Sequence, residues 1–232
     1  MADTLIVIAS EREGLGLVDE FGLQHAEDFE IQAGDHERGL GLYHGRSFDV
    51  LISGVLEHHM VAATALCLHR YKPKRVVNFG ACGTYGNRFG VETAPKIESV
   101  VSVSTSYRFD VDDNLHWVPP RTLPVVNLSV ATANCVTGSR YSRASDYESV
   151  HFPKDGQVED MELYGLAVLM ETFAVPLYSI KYVTNDVGPH GREQFREHVV
   201  SARRFGHEAL ENALSDFRDF PLLSGADNSA SG

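Results

Sequence analysis

The chain has 232 residues, 43% of them hydrophobic and 22% charged, with a formal net charge of -12. That length and balance suit a folded globular protein with a continuous core, and exclude a disordered chain. The acidic charge argues against a nucleic-acid partner held through phosphates, although a small anionic ligand needs only one local arginine.

Cys67, Cys82 and Cys135 are scattered, with no CxxC, which points to a reducing compartment without disulfides. The opening MADTLIVIAS lacks a basic n-region, and no apolar run reaches transmembrane length, so a cytoplasmic protein without a membrane partner is expected.

Thr4 to Ala9 is an apolar, β-branched run of strand length. It meets Ser10-Glu11-Arg12-Glu13, where Ser10 can cap a helix and Glu13 can close a capping box. Phe29 to Ala33 and Gly39 to His44 suggest a hairpin turning near Gly34-Asp35, and Asp49 to Ser53 a short buried strand. Met60, Ala63, Leu66, Cys67 and Arg70 have helical spacing within Glu57 to Tyr71, and Pro73 stops the helix.

Arg75 to Phe79 reads as a strand entering a glycine-rich turn, Gly80 to Gly86. Further strands are expected near Ser99 to Thr105 and Val125 to Ala133, separated by a long polar segment, Tyr107 to Pro120.

Val158 to Gly188 reads as a loop, a helix, a turn and a buried strand. Asp160 can cap the helix, with Met161 and Glu162 in its first turn, where a carboxylate is favoured by free amides. Val175-Pro176 ends the helix, and Leu177 to Val183 is a strand emptying into Thr184-Asn185-Asp186-Val187-Gly188. Ligands of open α/β sheets bind beyond the carboxyl ends of strands, which places Asn185 and Asp186 where chemistry is expected. Gly191 to Phe217 reads as a long closing helix.

This order predicts an α/β protein, a single-domain three-layer α/β/α sandwich with a mixed central sheet. The domain is expected over residues 1–222, with 223–232 a loose small-polar tail.

Gly80-x-x-Gly83-x-x-Gly86 lacks the GxGxxG spacing of a dinucleotide site, so no cofactor is implied. His58-His59 point different ways on a helix and lack a third ligand, so no metal is implied either. Cys82 has no evident base partner and reads as a packing residue. His190 and Arg192 follow the polar turn closely enough to touch a ligand's tail.

Three motifs together resemble the nucleoside phosphorylase/nucleosidase superfamily: Ala9-Ser10-Glu11-Arg12-Glu13, Met161-Glu162 and Thr184-Asn185-Asp186. The first is similar to the A-x-E-x-E of nucleosidases that cleave methylthioadenosine, S-adenosylhomocysteine or futalosine, and unlike the phosphate loop of hexameric phosphorylases. The resemblance implies a nucleoside phosphorylase-like fold and a purine nucleoside as substrate, with no cofactor, no metal and a homodimer.

By the same resemblance Glu13 activates water, and Glu162 accepts the ribose hydroxyls with Met161 on the sugar and Asp160 beside them. Ala81, Cys82 and Gly83 flank ribose and base, and Val136 stands where many members stack an aromatic ring. Adenine-cleaving members carry Asp at the position of Asn185, so either Asp186 serves as acid or Asn185 holds a 6-oxopurine as an amide donor. Phosphorolysis and a non-catalytic nucleoside-binding role remain the alternatives to hydrolysis.

Overall fold

The structure, a computed structural model, describes residues 2–27, 40–89, 94–109, 119–126, 129–140, 142 and 152–219. The expected strand Phe29 to Ala33, its Gly34-Asp35 turn, most of Tyr107 to Pro120 and the tail lie outside these residues. Among the described residues ten strands form one mixed sheet, covered by helices on both sides as the sequence predicts.

The fully buried strand β1 (Thr4–Ile8) pairs in parallel with β4 (Asp49–Ile52) and β5 (Arg75–Thr84). Beyond β4 the edge is antiparallel: β3 (Gly41–His44) pairs β4, and β2 (Gln24–Glu27) pairs β3.

On its other side the sheet closes on itself. Strand β5 pairs with both β10 (Leu177–Asp186) and the short β9 (Val158–Asp160). β9 pairs β8 (Ala131–Thr137), β8 pairs β6 (Val100–Arg108), and β6 returns to β10. A two-residue strand, β7 (Arg121–Thr122), adds to β6. Nothing in the sequence announced this ring, because strand pairing is a long-range property.

Helices α2 (Glu57–Tyr71) and α3 (Leu163–Phe173) cover a core of Leu5, Val7, Met60, Leu163 and Leu166. Helices α1 (Glu11–Glu20) and α4 (Gly191–Asp219) cover Ile6, Ile8, Phe79, Tyr182 and Leu210 on the opposite face. Each face of β1 therefore supplies alternate residues to one core, as the period-two geometry of a strand requires.

Three expectations are corrected. Residues Gly80 to Thr84 continue β5, with the turn delayed to Gly86, because β9 and β10 supply ladder partners on both sides. The strand expected over Val125 to Ala133 is β8, shifted to Ala131–Thr137 by its parallel register with β6. Met161 and Glu162 precede α3, whose first residue is Leu163.

Candidate active site

A cavity of about 520 Å³ opens beyond the carboxyl ends of β1, β5 and β10, within the range of small-ligand sites. Its lining brings together Glu13, Ala81, Cys82, Gly83, Glu159, Asp160, Met161, Glu162 and Asn185. Four segments distant in sequence thus meet there.

Glu13 sits in the first turn of α1 and is 6% exposed. Its Oε2 accepts from Ser10 N at 3.2 Å and Ser10 Oγ at 2.7 Å, the local contacts of a helix cap. Its Oε1 accepts from Ala81 N at 2.5 Å, across to β5. Capping and a place in the cavity are therefore compatible, because the two oxygens are used separately. A Cβ at Gly80 would lie 2.9 Å from Oε1, so glycine there makes room for the carboxylate. Burial pushes the Glu13 pKa up, against the Ala81 and Ser10 hydrogen bonds and the Lys181 charge, which pull it down.

Glu162, also 6% exposed, accepts from Leu56 N at 2.9 Å through Oε1. Leu56 precedes α2 with φ 82°, a conformation L-residues rarely adopt. Burial, and then the Asp160 charge, push the Glu162 pKa up to about 8, with Lys181 and the Leu56 amide opposing.

Asp160 is committed to the fold. It accepts from Lys181 Nζ at 2.8 Å, Thr137 Oγ1 at 2.6 Å and Leu163 N at 3.1 Å. It is not the N-cap expected of it, since that position is Glu162, but from the end of β9 it accepts from the first amide of α3 and so fixes the Met161-Glu162 segment between strand and helix. Burial alone would lower the Lys181 pKa, but Asp160, followed by Cys135 and Glu162, raises it on balance. A cation is thereby held beneath the carboxylates of the cavity.

The adjacent candidates Asn185 and Asp186 are separated by the structure. The β5–β10 register shifts between Val183 and Asn185, a bulge that sets Asn185 opposite Gly83; bulges re-aim side chains in this way. Asn185 is 5% exposed and lines the cavity. Its Nδ2 donates to Asp186 O at 3.1 Å, and its Oδ1 accepts from Thr184 Oγ1 at 2.9 Å. Asp186 is exposed and absent from the lining; its carboxylate accepts from Gln194 Nε2 at 3.3 Å. The geometry therefore sets aside Asp186 as the group facing a ligand.

Val136 is likewise outside the lining. It is fully buried with Tyr85, Phe152 and Val187, because its position on β8 turns it into that small core. His190 is 78% exposed and 3.6 Å from Glu193, away from the cavity, whereas Arg192 lines it. Burial raises the Cys82 thiol to about 12, which removes it as a nucleophile near neutrality. No cluster of metal-ligating side chains occurs among the described residues.

Sequence reasoning missed Glu159, Lys181 and Arg196. Arg12, Arg192 and Arg196 all line the cavity, a basic grouping invisible in sequence because α1 and α4 contribute it from opposite ends of the chain. The alternation Val158-Glu159-Asp160, a carboxylate inside a strand, was the available clue to Glu159.

This architecture is the fold seen in solved nucleosidase structures. The apo structure of Arabidopsis thaliana 5'-methylthioadenosine nucleosidase superposes with a TM-score of 0.79 at 21% identity, covering 95% of this chain and 97% of that one. Futalosine hydrolase of Helicobacter pylori gives 0.72 at 15% identity, covering 92% and 97%. In sequence, a 5'-methylthioadenosine nucleosidase of Arabidopsis thaliana is 23% identical over 207 residues, 80% of this chain and 75% of its own length. No protein-family model matches the chain. No helix among the described residues is long and apolar enough to cross a membrane.

Proposed function

We propose that the protein is a purine nucleosidase, hydrolysing the N-ribosidic bond of a nucleoside to free base and sugar. The observation that carries this is the meeting of Glu13, Glu162 and Asn185, all but buried, around one cavity. The similarity to nucleosidases in sequence and fold supports it.

In this reading Glu13 accepts a proton from water as the water oxygen bonds to C1′ and the C1′–N9 bond breaks. The bonding pair leaves with the purine, which takes up a proton from solvent, so the atoms balance as nucleoside plus water to sugar plus base. The reacting sugar gains oxocarbenium character, and the Glu13 charge stabilises it. Glu162 offers acceptor oxygens to the two ribose hydroxyls, beside Met161. Asn185 donates an amide hydrogen to the purine as electron density builds there, without acting as an acid. A homodimer belongs to the same reading, by family resemblance, and sedimentation checks it.

A second reading has an observation of its own. Arg12, Arg192 and Arg196 line the mouth and suit an anion, so phosphate rather than water would attack. Against it, Glu13 lies where phosphate would need to approach, and two anions repel in a desolvated site. Following free base from inosine, futalosine, methylthioadenosine and S-adenosylhomocysteine with and without phosphate tests both. Release without phosphate is expected. Strict phosphate dependence would replace hydrolysis by phosphorolysis, and binding without release would make the protein a non-catalytic binder.

A further inference from the structure

We infer that Arg12, Arg192 and Arg196 hold an anionic group carried on C5′ of the sugar, which makes the substrate a purine nucleoside with a 5′-linked phosphate or carboxylate rather than a neutral 5′ end. This rests on the nucleosidase reading for the nucleoside itself, and assigns the part of the cavity to which that reading gives no role.

Arg12 is the second residue of α1, and Arg192 the second residue of α4. Each places a cation at the end of a helix where free amides and the macrodipole favour an anion. Arg196 follows Arg192 by four residues, which sets two like charges on one face of α4, again an unfavourable placement. Arg203, seven residues further on, shares that face and donates to Arg12 O at 2.7 Å. The arginine face of α4 is thereby aligned with the start of α1, and Arg12, Arg192 and Arg196 all line the cavity.

The protein does not neutralise these three cations. Among the described residues none of them has an ion pair or a side-chain hydrogen bond, whereas Arg70, Arg108 and Arg121 each pair with a carboxylate. Acids are not scarce, with 32 Asp and Glu to 20 Lys and Arg. The carboxylates of the cavity are turned to other partners: Glu13 to Ser10 and Ala81, Glu162 to Leu56, Glu159 to Tyr85 and Ser142, and Asp160 to Lys181. Three unpaired guanidiniums around one concavity are complementary to an anion that arrives with the ligand.

Burial decides where on the ligand that anion sits. Glu13, Glu162 and Asn185 are buried, and the three arginines are exposed. The reacting carbon, the ribose hydroxyls and the base belong to the inner wall, and the cations form the rim. Of the substituents of a nucleoside, the one on C5′ is left to reach them. An anion attached there stays clear of Glu13, whereas an attacking phosphate would have to pass inward to C1′ beside that carboxylate.

The test uses formycin A and formycin B, analogues of adenosine and inosine whose glycosidic C–C bond cannot be hydrolysed. Each is titrated calorimetrically into the intact protein as the free nucleoside, the 5′-phosphate and the 5′-carboxylate. At least one anionic form should bind about tenfold or more tightly than its parent, the scale of a hydrogen bond between charged groups. That advantage should shrink as salt is raised, and the form that gains more identifies the group as phosphate or carboxylate. In the double variant Arg192→Gln/Arg196→Gln the ratio should fall towards one, and Arg192→Lys/Arg196→Lys should keep part of it through charge alone. Equal or weaker binding of both anionic forms would overturn the inference, as would a ratio that the Gln variant leaves untouched. So would inorganic phosphate that speeds base release from inosine or adenosine through the same two arginines, since they would then hold the attacking group. If the Gln variant does not fold, the wild-type ratio decides by itself. Preference for an anionic form without turnover of any nucleoside or nucleotide would uphold the arginine assignment and remove the hydrolytic reading. Hydrolysis without such a preference would do the reverse, and failure to bind any of the analogues would overturn both.

Discussion

Helices α1 and α4 both run from one cavity to another at the opposite end of the molecule. The second cavity is the larger, about 950 Å³ against 520 Å³. It is lined by Phe21, Leu23, Phe48 and Leu214 with Arg46, Glu211 and other polar residues. Phe21 and Phe48 meet edge to face at 5.1 Å, and His44 pairs with Asp49 at 2.9 Å, so its notable groups are engaged in holding the fold. The smaller cavity instead concentrates buried carboxylates around Lys181 and collects two helix N-termini, whose free amides favour anions. Volume does not distinguish the two ends. Desolvated charge does, because only a folded framework that gains something in return keeps several ionisable groups out of water.

The sharpest way to break this contrast is Glu13→Gln. Turnover should fall about 10²- to 10⁴-fold with nucleoside binding retained, the scale of a lost general base, as initial rates and titration would reveal. Arg46→Ala at the far cavity should leave both unchanged. Comparable losses at the two ends would mean that the site has been misplaced.

Lys181→Met comes next. It strands Asp160 without its cation, so stability should drop by about 3–5 kcal/mol in urea unfolding. A loss under 1 kcal/mol would show that Asp160 is not sustained by that ion pair.

Within the site, Asn185→Ala should lower kcat/KM by about 10- to 150-fold, the worth of a hydrogen bond to developing charge. Asp186→Asn should change it less than threefold, since that carboxylate points to Gln194. The reverse ranking in steady-state kinetics would restore Asp186 as the acid.

The gentlest probe is pH. Burial raises Glu13, and a base must be unprotonated, so activity should fall as pH drops, with a midpoint higher than that of an ordinary glutamate. Glu162 is pushed up to about 8, and ribose hydroxyls favour its ionised form, so nucleoside affinity should rise with pH until about 8 and then level off. An affinity flat from pH 6 to 9 would contradict the assignment of the ribose to Glu162.

Sequence and structure agree where local chemistry decides. Helix α2 spans Glu57–Tyr71 as its apolar spacing and Pro73 dictate, with Lys72 in the left-handed cap. Glu13, Met161 and Glu162 were legible because short motifs carry them. The segment Gly80 to Thr84 was misread as a turn because glycine favours turns locally, whereas pairing to β9 and β10 overrides that preference. Asn185 and Asp186 were not separable from sequence, since a bulge that exists only through pairing with β5 decides which one faces the cavity. Lys181 carries no local signal in its apolar strand, because its partner Asp160, 2.8 Å away, comes from another strand.

The central claim is that water attacks the sugar in the cavity built on Glu13. Running the reaction in ¹⁸O-labelled water and weighing the sugar product tests it most directly. One labelled oxygen is expected on the sugar at C1, appearing with free base in the absence of phosphate. Unlabelled sugar, or a sugar phosphate formed only when phosphate is supplied, would contradict it.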